Sequence, residues 1–501
     1  MIRGESMFDF GFINRIKTMV SQGAAEKMTD VQFVEKELTH FLHSPGRRSM
    51  IAGERYFRGK QDILHKKRMA IGNDGESTEI TNLPNNRIVD NQYRKMVNQK
   101  KNYLLGQPPT FQCDDDRYSE LLKDIFDKNF LRLLKNAGAD ALNCGLGWIF
   151  VYYDEEGKLS FRRYKPYEIL PFWSDAEHTK LDAAVRVYGL TSYEGVNPKN
   201  IRKVEVYGQD GISFFERNDS GVLVPCEPFH QPYFTVAKGN TSKGFNWSKI
   251  PLIAFKRDDM ETPLISAVKS LQDGLNEIES RFKDAMDEDP RNTIIVLVNY
   301  DGTNLGEFRE NLAVYGAVKV RSTDGSNGDV RTLQIEVNAE NYKAILEIFK
   351  KAIIENAMGY DAKDDRLAGN PNQMNIQSMY SDIDLDANDM ESEFQAAMEE
   401  LLWFVNCHFA NTGQGDYFNV PVKVIFNRDM LINESEIIND CRNSVGIISN
   451  RTIVANHPYV DDVEAELEQL EKEKQEAIEQ YGDAFGGNVK IPVREGNEDE
   501  D

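Results

Sequence analysis

The stretch from Asn338 to Phe409 constrains this chain most: a helix, a polar break and a longer helix. Tyr342, Ile345, Leu346, Phe349, Ile353 and Ala357 recur at helical spacing, with Asn338 placed as an N-cap and Gly359 where a C-terminal cap belongs. From Asn375 the apolar positions Ile376, Met379, Tyr380, Ile383, Ala387, Met390, Phe394, Ala397, Leu401 and Val405 hold a near-heptad period for roughly eight turns. A helix that long needs a partner along its length. Between the two lies Tyr360 to Met374, with Lys363 and Arg366 set among Asp361, Asp364 and Asp365, and with the Asn370-Pro371 pair that disfavours helix. It reads as an exposed polar loop on two rigid arms.

A second seam precedes it. Thr262 caps a helix with Pro263 at its first position, and Leu264, Val268, Leu271, Leu275, Ile278, Phe282 and Ala285 follow at alternating steps of four and three, a seam of roughly 33 Å. Its length predicts that no partner within the chain covers all of it. Asp284, Asp287, Glu288 and Asp289 crowd its C-terminal end, where the helix dipole disfavours them, which predicts an end facing water or something it should not stick to. Between the seam and Ala339 a small module of strands and one short helix forms a head on a two-helix stalk.

Before the seam, the period alternates from Gly147 to Phe255, predicting a largely antiparallel β region, and helical blocks are predicted at Thr29–Leu42, Asn86–Gly106 and Tyr118–Cys144. The basic residues between Arg47 and Arg68 read as a solvated helix face. After the long helix come one strand, three further helices and an acidic tail, GNEDED.

With 501 residues and 40% apolar content the chain can bury a large core. A net charge of -23 excludes a surface that grips nucleic acid throughout, since that requires excess Lys and Arg. Five scattered cysteines without a CxxC pair point to neither zinc site nor disulfide framework, and fit a reducing cytoplasm. No apolar run approaches a membrane span, so no membrane partner is expected. Phosphate-loop, dinucleotide, zinc-protease and nucleophile-elbow motifs are absent. His40 and His43 are the one histidine pair at ligand spacing, and the clusters Asp114–Asp116, Asp382/Asp384/Asp386 and Asp461/Asp462 are the material for a metal-dependent nuclease; solvated acidic faces explain the latter without an ion. No cofactor or metal is expected.

In order and spacing, YFRGKQDI at Tyr56, NRIVDNQYRKMVNQKKNYLLGQPP at Asn86, YKPYEILPFW at Tyr164, KIPLIAFKRDDMETPLISAVKSLQDGLNEIES at Lys249 and IISNRTIVANHPYVDDVEAELEQLEKEK at Ile447 resemble the portal proteins of tailed bacteriophages, of the siphophage type. Before the long helix the chain carries GNPNQMN from Gly369 where many members carry a Ser-Gly pair. The resemblance implies an α+β subunit with wing (1–261 and 375–433), stem helices (262–288 and 339–359), a small α/β clip (289–338), a tunnel loop (360–374), a helical crown (434–481) and an acidic tail (482–501). It further implies a non-enzymatic ring of about twelve subunits at one capsid vertex, a channel for packaging and ejecting double-stranded DNA. Implied partners are the terminase large subunit, the major capsid and scaffolding proteins and a head-completion or adaptor protein, with assembly in the host cytoplasm and residence in the virion. Lys363, Asp364, Asp365, Arg366, Asn370 and Asn372 would face DNA, and Leu264, Val268, Leu271, Leu275, Ile278 and Phe282 would pack the stem. The other readings are a metal-dependent phage nuclease and a minor head scaffold protein without a channel.

Overall fold

The computed structural model describes residues 30–71, 76–81, 83–194, 196–238, 241–288, 294–298, 304, 306, 322–323, 326–327, 329–333, 339–362, 373–428, 434–460 and 463–484. Two compact units divide the chain, one of Met1–Asp361 with Asp382–Asp429, the other of Ala362–Ser381 with Met430–Asp501. Helices and antiparallel sheets are mixed along the sequence, so the fold class is α+β.

Local capping chemistry sets the helices of the first unit. Helix α1 (Asp30–His43) runs into α2 (Pro45–Phe57), where Ser44 Oγ accepts from the Arg47 amide at 3.2 Å and Pro45 supplies a preset φ. Asn91 caps α3 (Gln92–Leu105) and Asp115 caps α4 (Asp116–Ile125). The block expected as one helix from Tyr118 to Cys144 is two: Asp127 Oδ1 accepts from the amides of Asn129 and Phe130 at 2.9 Å and starts α5 (Lys128–Cys144) afresh. Gly145 ends α5 at φ +90°, where any Cβ would lie 1.8 Å from Glu261 O.

The alternating region folds as expected. Strand β1 (Leu146–Tyr153) pairs antiparallel with β2 (Leu159–Tyr164), Trp148 opposite Tyr164. Strands β3 (Ile169–Trp173), β4 (Leu181–Glu194), β5 (Asn197–Gly208), β6 (Gly211–Arg217) and β7 (Leu223–Gln231) form an antiparallel meander in the order β7-β6-β5-β4-β3. Helix α1 covers one face of it, burying Phe33, Val34 and Leu38 against Val185, Val204 and Phe215. Strand β8 (Leu252–Lys256) returns to the free edge of β1, Leu252 opposite Phe150.

The main core joins Tyr93 and Met96 of α3, Trp148 of β1, Phe255 of β8, Val268 and Leu275 of α6 (Ile265–Glu288), Ile353 of α7 (Ala339–Asn356) and Phe394 and Leu401 of α8 (Gln373–Asn411). Helices α6 and α7 approach closely because Gly274 has no side chain: a Cβ there would sit 2.6 Å from Phe349 Cε1. Farther along, the rings of Phe282 and Tyr342 meet at 4.7 Å. Beyond α6 the backbones of Ile294–Val298 and Asp329–Leu333 pair antiparallel. The expected cap Asn338 lies outside the described residues. At the other end of α7 the left-handed residue is Met358 (φ 50°), while Gly359 donates its amide to Ile354 O at 2.9 Å. A Cβ at Gly359 would meet Gln99 Oε1 and Met96 Sδ at 2.8 Å, so any side chain there would displace the Gln99 end that holds Tyr360.

In the second unit, α9 (Glu434–Asn443), α10 (Asn450–Ala455) and α11 (Val463–Ala484) carry the chain. Ser449 Oγ caps α10, accepting from the Thr452 amide at 3.2 Å, and Tyr459 OH donates to Glu434 at 3.3 Å.

Candidate functional site

The start of the expected loop is held by α3. Gln99 grips Tyr360 on both sides of its peptide, Nε2 donating to the Tyr360 carbonyl at 2.8 Å and Oε1 accepting its amide at 3.1 Å. One residue on, Lys100 is only 3% exposed and donates to Met358 O at 3.0 Å and to Asp386 Oδ2 at 2.7 Å. Asp386 on α8, 8% exposed, accepts from Arg257 through its other oxygen at 2.8 Å. Burial, the larger influence, with the Arg257 charge, pushes the Lys100 ammonium down to about 8 against the pull of Asp386. Burial alone would raise the Asp386 carboxyl, but the two cations outweigh it and hold it below the usual carboxylate range. Both groups are therefore charged at neutral pH. The triad ties the end of α7, the middle of α8 and the strand β8 edge into one ionic knot, and removing one member would leave an uncompensated buried charge at a cost of about 3–5 kcal/mol.

The second constellation lies on α6. Gln272, Asn276, Ser280 and Asp284 recur every four residues and are buried. They receive a segment running antiparallel to the helix and the start of α3 that follows it: Asn86 N donates to Asp284 at 2.6 Å, Ile88 N to Ser280 Oγ at 2.9 Å, Asp90 N to Asn276 Oδ1 at 3.0 Å and, in α3, Tyr93 N to Gln272 Oε1 at 2.9 Å. The match is metric for the first three: two extended residues advance about 6.6 Å and four helical residues about 6 Å, so the alternate amides of Asn86, Ile88 and Asp90 meet successive turns, and the fourth contact comes from the first turn of α3. Gln61, fully buried, closes the network by accepting from Asn276 Nδ2 and donating to the Asn91 side chain at 3.0 Å. Lys66 pairs with the remaining Asp284 oxygen at 3.3 Å.

Against this geometry several expectations change. Leu264, Val268 and Leu275 are fully buried within their own chain, and Leu271, Ile278 and Phe282 partly so. Within the chain α7 covers one side of the seam and the strap from Asn86 to Tyr93 covers the adjoining polar side, which leaves Leu271, Ile278 and Phe282 partly open. Asp284 does not face water, because amides and Lys66 neutralise it. The acidic face at Asp384 and Asp386 is not merely solvated either; Tyr103 donates to Asp384 at 2.6 Å and Arg428 pairs with it. Among the basic residues near Arg47, Arg55 pairs with Asp62 at 2.5 Å and Arg68 donates to Pro84 O at 2.8 Å. Lys363, Asp364, Asp365, Arg366, Asn370 and Asn372 lie outside the described residues. Sequence reasoning missed Lys100, Arg257 and Gln99, whose partners are far away in sequence. It also passed over the four-residue polar recurrence of α6, which was open to view between the apolar positions.

Among the described residues no group of three or more His, Cys, Asp or Glu is placed to hold a metal ion, and no helix is long and apolar enough to cross a membrane. His43, half of the one histidine pair, donates Nδ1 to Thr39 O at 2.8 Å.

Known portal proteins are similar to this chain over most of its length. The portal protein of Bacillus phage SPP1 is 28% identical over 446 residues, 88% of this chain and 86% of that protein. The portal protein of Clostridium phage phiCD119 is 28% identical over 447 residues, 86% of this chain and 94% of its own. Among solved structures, a chain from the neck of an empty GTA particle computed with C6 symmetry covers 72% of this chain and 88% of its own, at 12% identity and a TM-score of 0.39. The family described as "Phage portal protein, SPP1 Gp6-like" matches residues 46–480, a span that takes in the ionic knot, the α6 ladder and both stalk helices; this chain belongs to that family of structural, non-enzymatic phage portal proteins.

Proposed function

We propose that copies of this chain close into a ring of about twelve at one capsid vertex, around a channel through which double-stranded DNA is packaged and ejected. The family match over residues 46–480 carries this reading. Helices α6 and α7 form the stem, residues 289–338 the clip, 360–374 the tunnel loop and 434–481 the crown. The clip docks the terminase large subunit and later a head-completion or adaptor protein, while the wing meets the major capsid and scaffolding proteins. Assembly takes place in the host cytoplasm and the product resides in the virion. Ring contacts fall to the outer face of α7, where Ile345 and Ile348 remain exposed, and to the partly open seam positions Leu271, Ile278 and Phe282. The Gln99 clamp and the Lys100–Asp386–Arg257 knot hold Tyr360 and Met358, where the loop begins. The loop's net charge of about -1 keeps its grip on phosphate weak, which suits sliding DNA.

Mass measurement of the purified particle, with one electron-microscopy view down its axis, tests the ring; subunits that stay monomeric or form open aggregates overturn it. Deleting Asn292 to Val337 should abolish motor binding while sparing the rest of the subunit. Lys363→Ala with Arg366→Ala should leave the ring intact yet alter DNA translocation.

A further inference from the structure

Alternate residues of a strand share a face. Under α1 the five-stranded sheet is apolar at Val187, Val204 and Phe215. Two residues on, the same face carries Gly189, Arg202 and Arg217 in a single cross-strand row. Helix α1 stops at His43, and α2 brings Arg47 in beside it. A cavity of about 340 Å³ opens at this point, with His43, Arg47, Gly189, Arg202 and Arg217 on its wall and no carboxylate.

Like charges directly opposite in a sheet repel, and guanidiniums do not shed their protons at ordinary pH, so Arg202 facing Arg217 is unfavourable as it stands. The nearest carboxylates are occupied: Glu168 accepts both Nε and Nη2 of Arg186 at 3.2 Å, and Glu35 accepts the Leu223 amide at 2.7 Å. Arg47 is held in place by donating Nε to Tyr167 O at 2.8 Å and Nη1 to Leu42 O at 3.3 Å. Arg217 Nη2 donates to Thr39 Oγ1 at 3.1 Å, whereas its Nε is buried without a hydrogen-bond partner among the described residues. The Arg202 side chain has neither hydrogen bond nor ion pair among them. Burial, together with the Arg202 charge, holds Arg47 below its ordinary value. Three cations thus converge with no carboxylate on the pocket wall, Glu168 and Glu35 offsetting only part of the charge of Arg47 and Arg217, in a chain whose net charge is -23.

We propose that this pocket binds a phosphate group, either free phosphate or a phosphate of a DNA backbone. Guanidinium forks match phosphate oxygens in pairs, and three of them offer more donors than the two oxygens of one carboxylate can accept. The occupant removes the repulsion across β5 and β6. The inference stands on the pocket itself and survives if the ring reading fails.

Calorimetric titration of the intact protein with inorganic phosphate, against chloride at matched ionic strength, tests it. Saturable binding of one phosphate per subunit is expected, unchanged in Lys158→Ser and weakened at least about tenfold in Arg202→Ser. Without phosphate the thermal midpoint of Arg202→Ser should equal or exceed that of the unaltered protein, because a repulsion is lost; this separates lost binding from lost folding. A short DNA duplex that competes with phosphate for the unaltered protein assigns the source to nucleic acid, and phosphate binding without such competition assigns it to the free anion. No saturable phosphate binding, equal binding by Arg202→Ser, or occupancy by a glutamate-rich peptide that phosphate does not displace would overturn the proposal.

Discussion

Helices α6 and α7 are both amphipathic and lie against each other, yet their surroundings differ. Helix α6 is enclosed on two sides: its apolar positions Leu264, Val268 and Leu275 are fully buried, and its polar row Gln272, Asn276 and Ser280 is buried as well, each member bonded to the Asn86–Tyr93 strap. Helix α7 buries only Ile353 and Ile354 near its end, and leaves Ile345 at 40% and Ile348 at 65% exposure. The difference teaches that amphipathicity states a need for cover without saying who supplies it. For α6 the same chain supplies it; for the outer face of α7 the proposed ring does.

The sharpest way to break this contrast is at the knot that holds the end of α7. Asp386→Ala leaves Lys100 buried without its anion and Arg257 with Asp258 alone, and should cost the subunit about 3–5 kcal/mol in urea unfolding. Leu275→Ala should cost about 2–5 kcal/mol by the same measurement, because its pocket lies inside a single chain; a negligible loss would mean that α6 is completed only by a neighbour. Asn276→Ala strands the Asp90 amide and Gln61, and about 1–3 kcal/mol should be lost, with faster hydrogen exchange at the amides of Ile88 and Asp90.

A pH series refines the knot. Because Lys100 is lower when folded, at about 8, than its ordinary 10.5, the unfolded chain binds more protons between these values. Stability contributed by this group therefore rises with pH across that window, by at most about 1.4 kcal/mol per pH unit. Lys100→Met should remove that slope from the difference between the two proteins. Asp386 acts at the other end: its carboxyl is depressed, so its stabilisation is present above the ordinary carboxylate range and is lost as pH falls through the folded value. The smallest effect on the subunit is expected from Ile348→Ser, within about 0.5 kcal/mol in urea, together with a reduced yield of assembled rings. A large loss of subunit stability from that change would place Ile348 in the chain's own core.

Much of the local structure was legible because it depends on neighbours in sequence. The alternation from Gly147 to Phe255 foretold the antiparallel strands, and heptad spacing foretold α6 and α8, since side-chain periods of two and about 3.6 belong to the backbone itself. The break at Asp127 was missed although its cause is local, because an aspartate inside an apolar-periodic stretch reads equally as a solvated residue or a cap. The candidate site was less legible. Lys100 and Asp386 stand 286 residues apart, and neither carries a mark that distinguishes it from a surface charge.

By itself the sequence determined where most helices and strands run, the acidic balance of the whole chain and, through the order of its segments, the family. Tertiary structure alone decided which charges are buried and paired, which side of α6 its own chain covers, and where three arginines meet without a carboxylate. The reason is physical: a backbone period is set within a few residues, whereas burial and charge compensation depend on segments that only folding brings together.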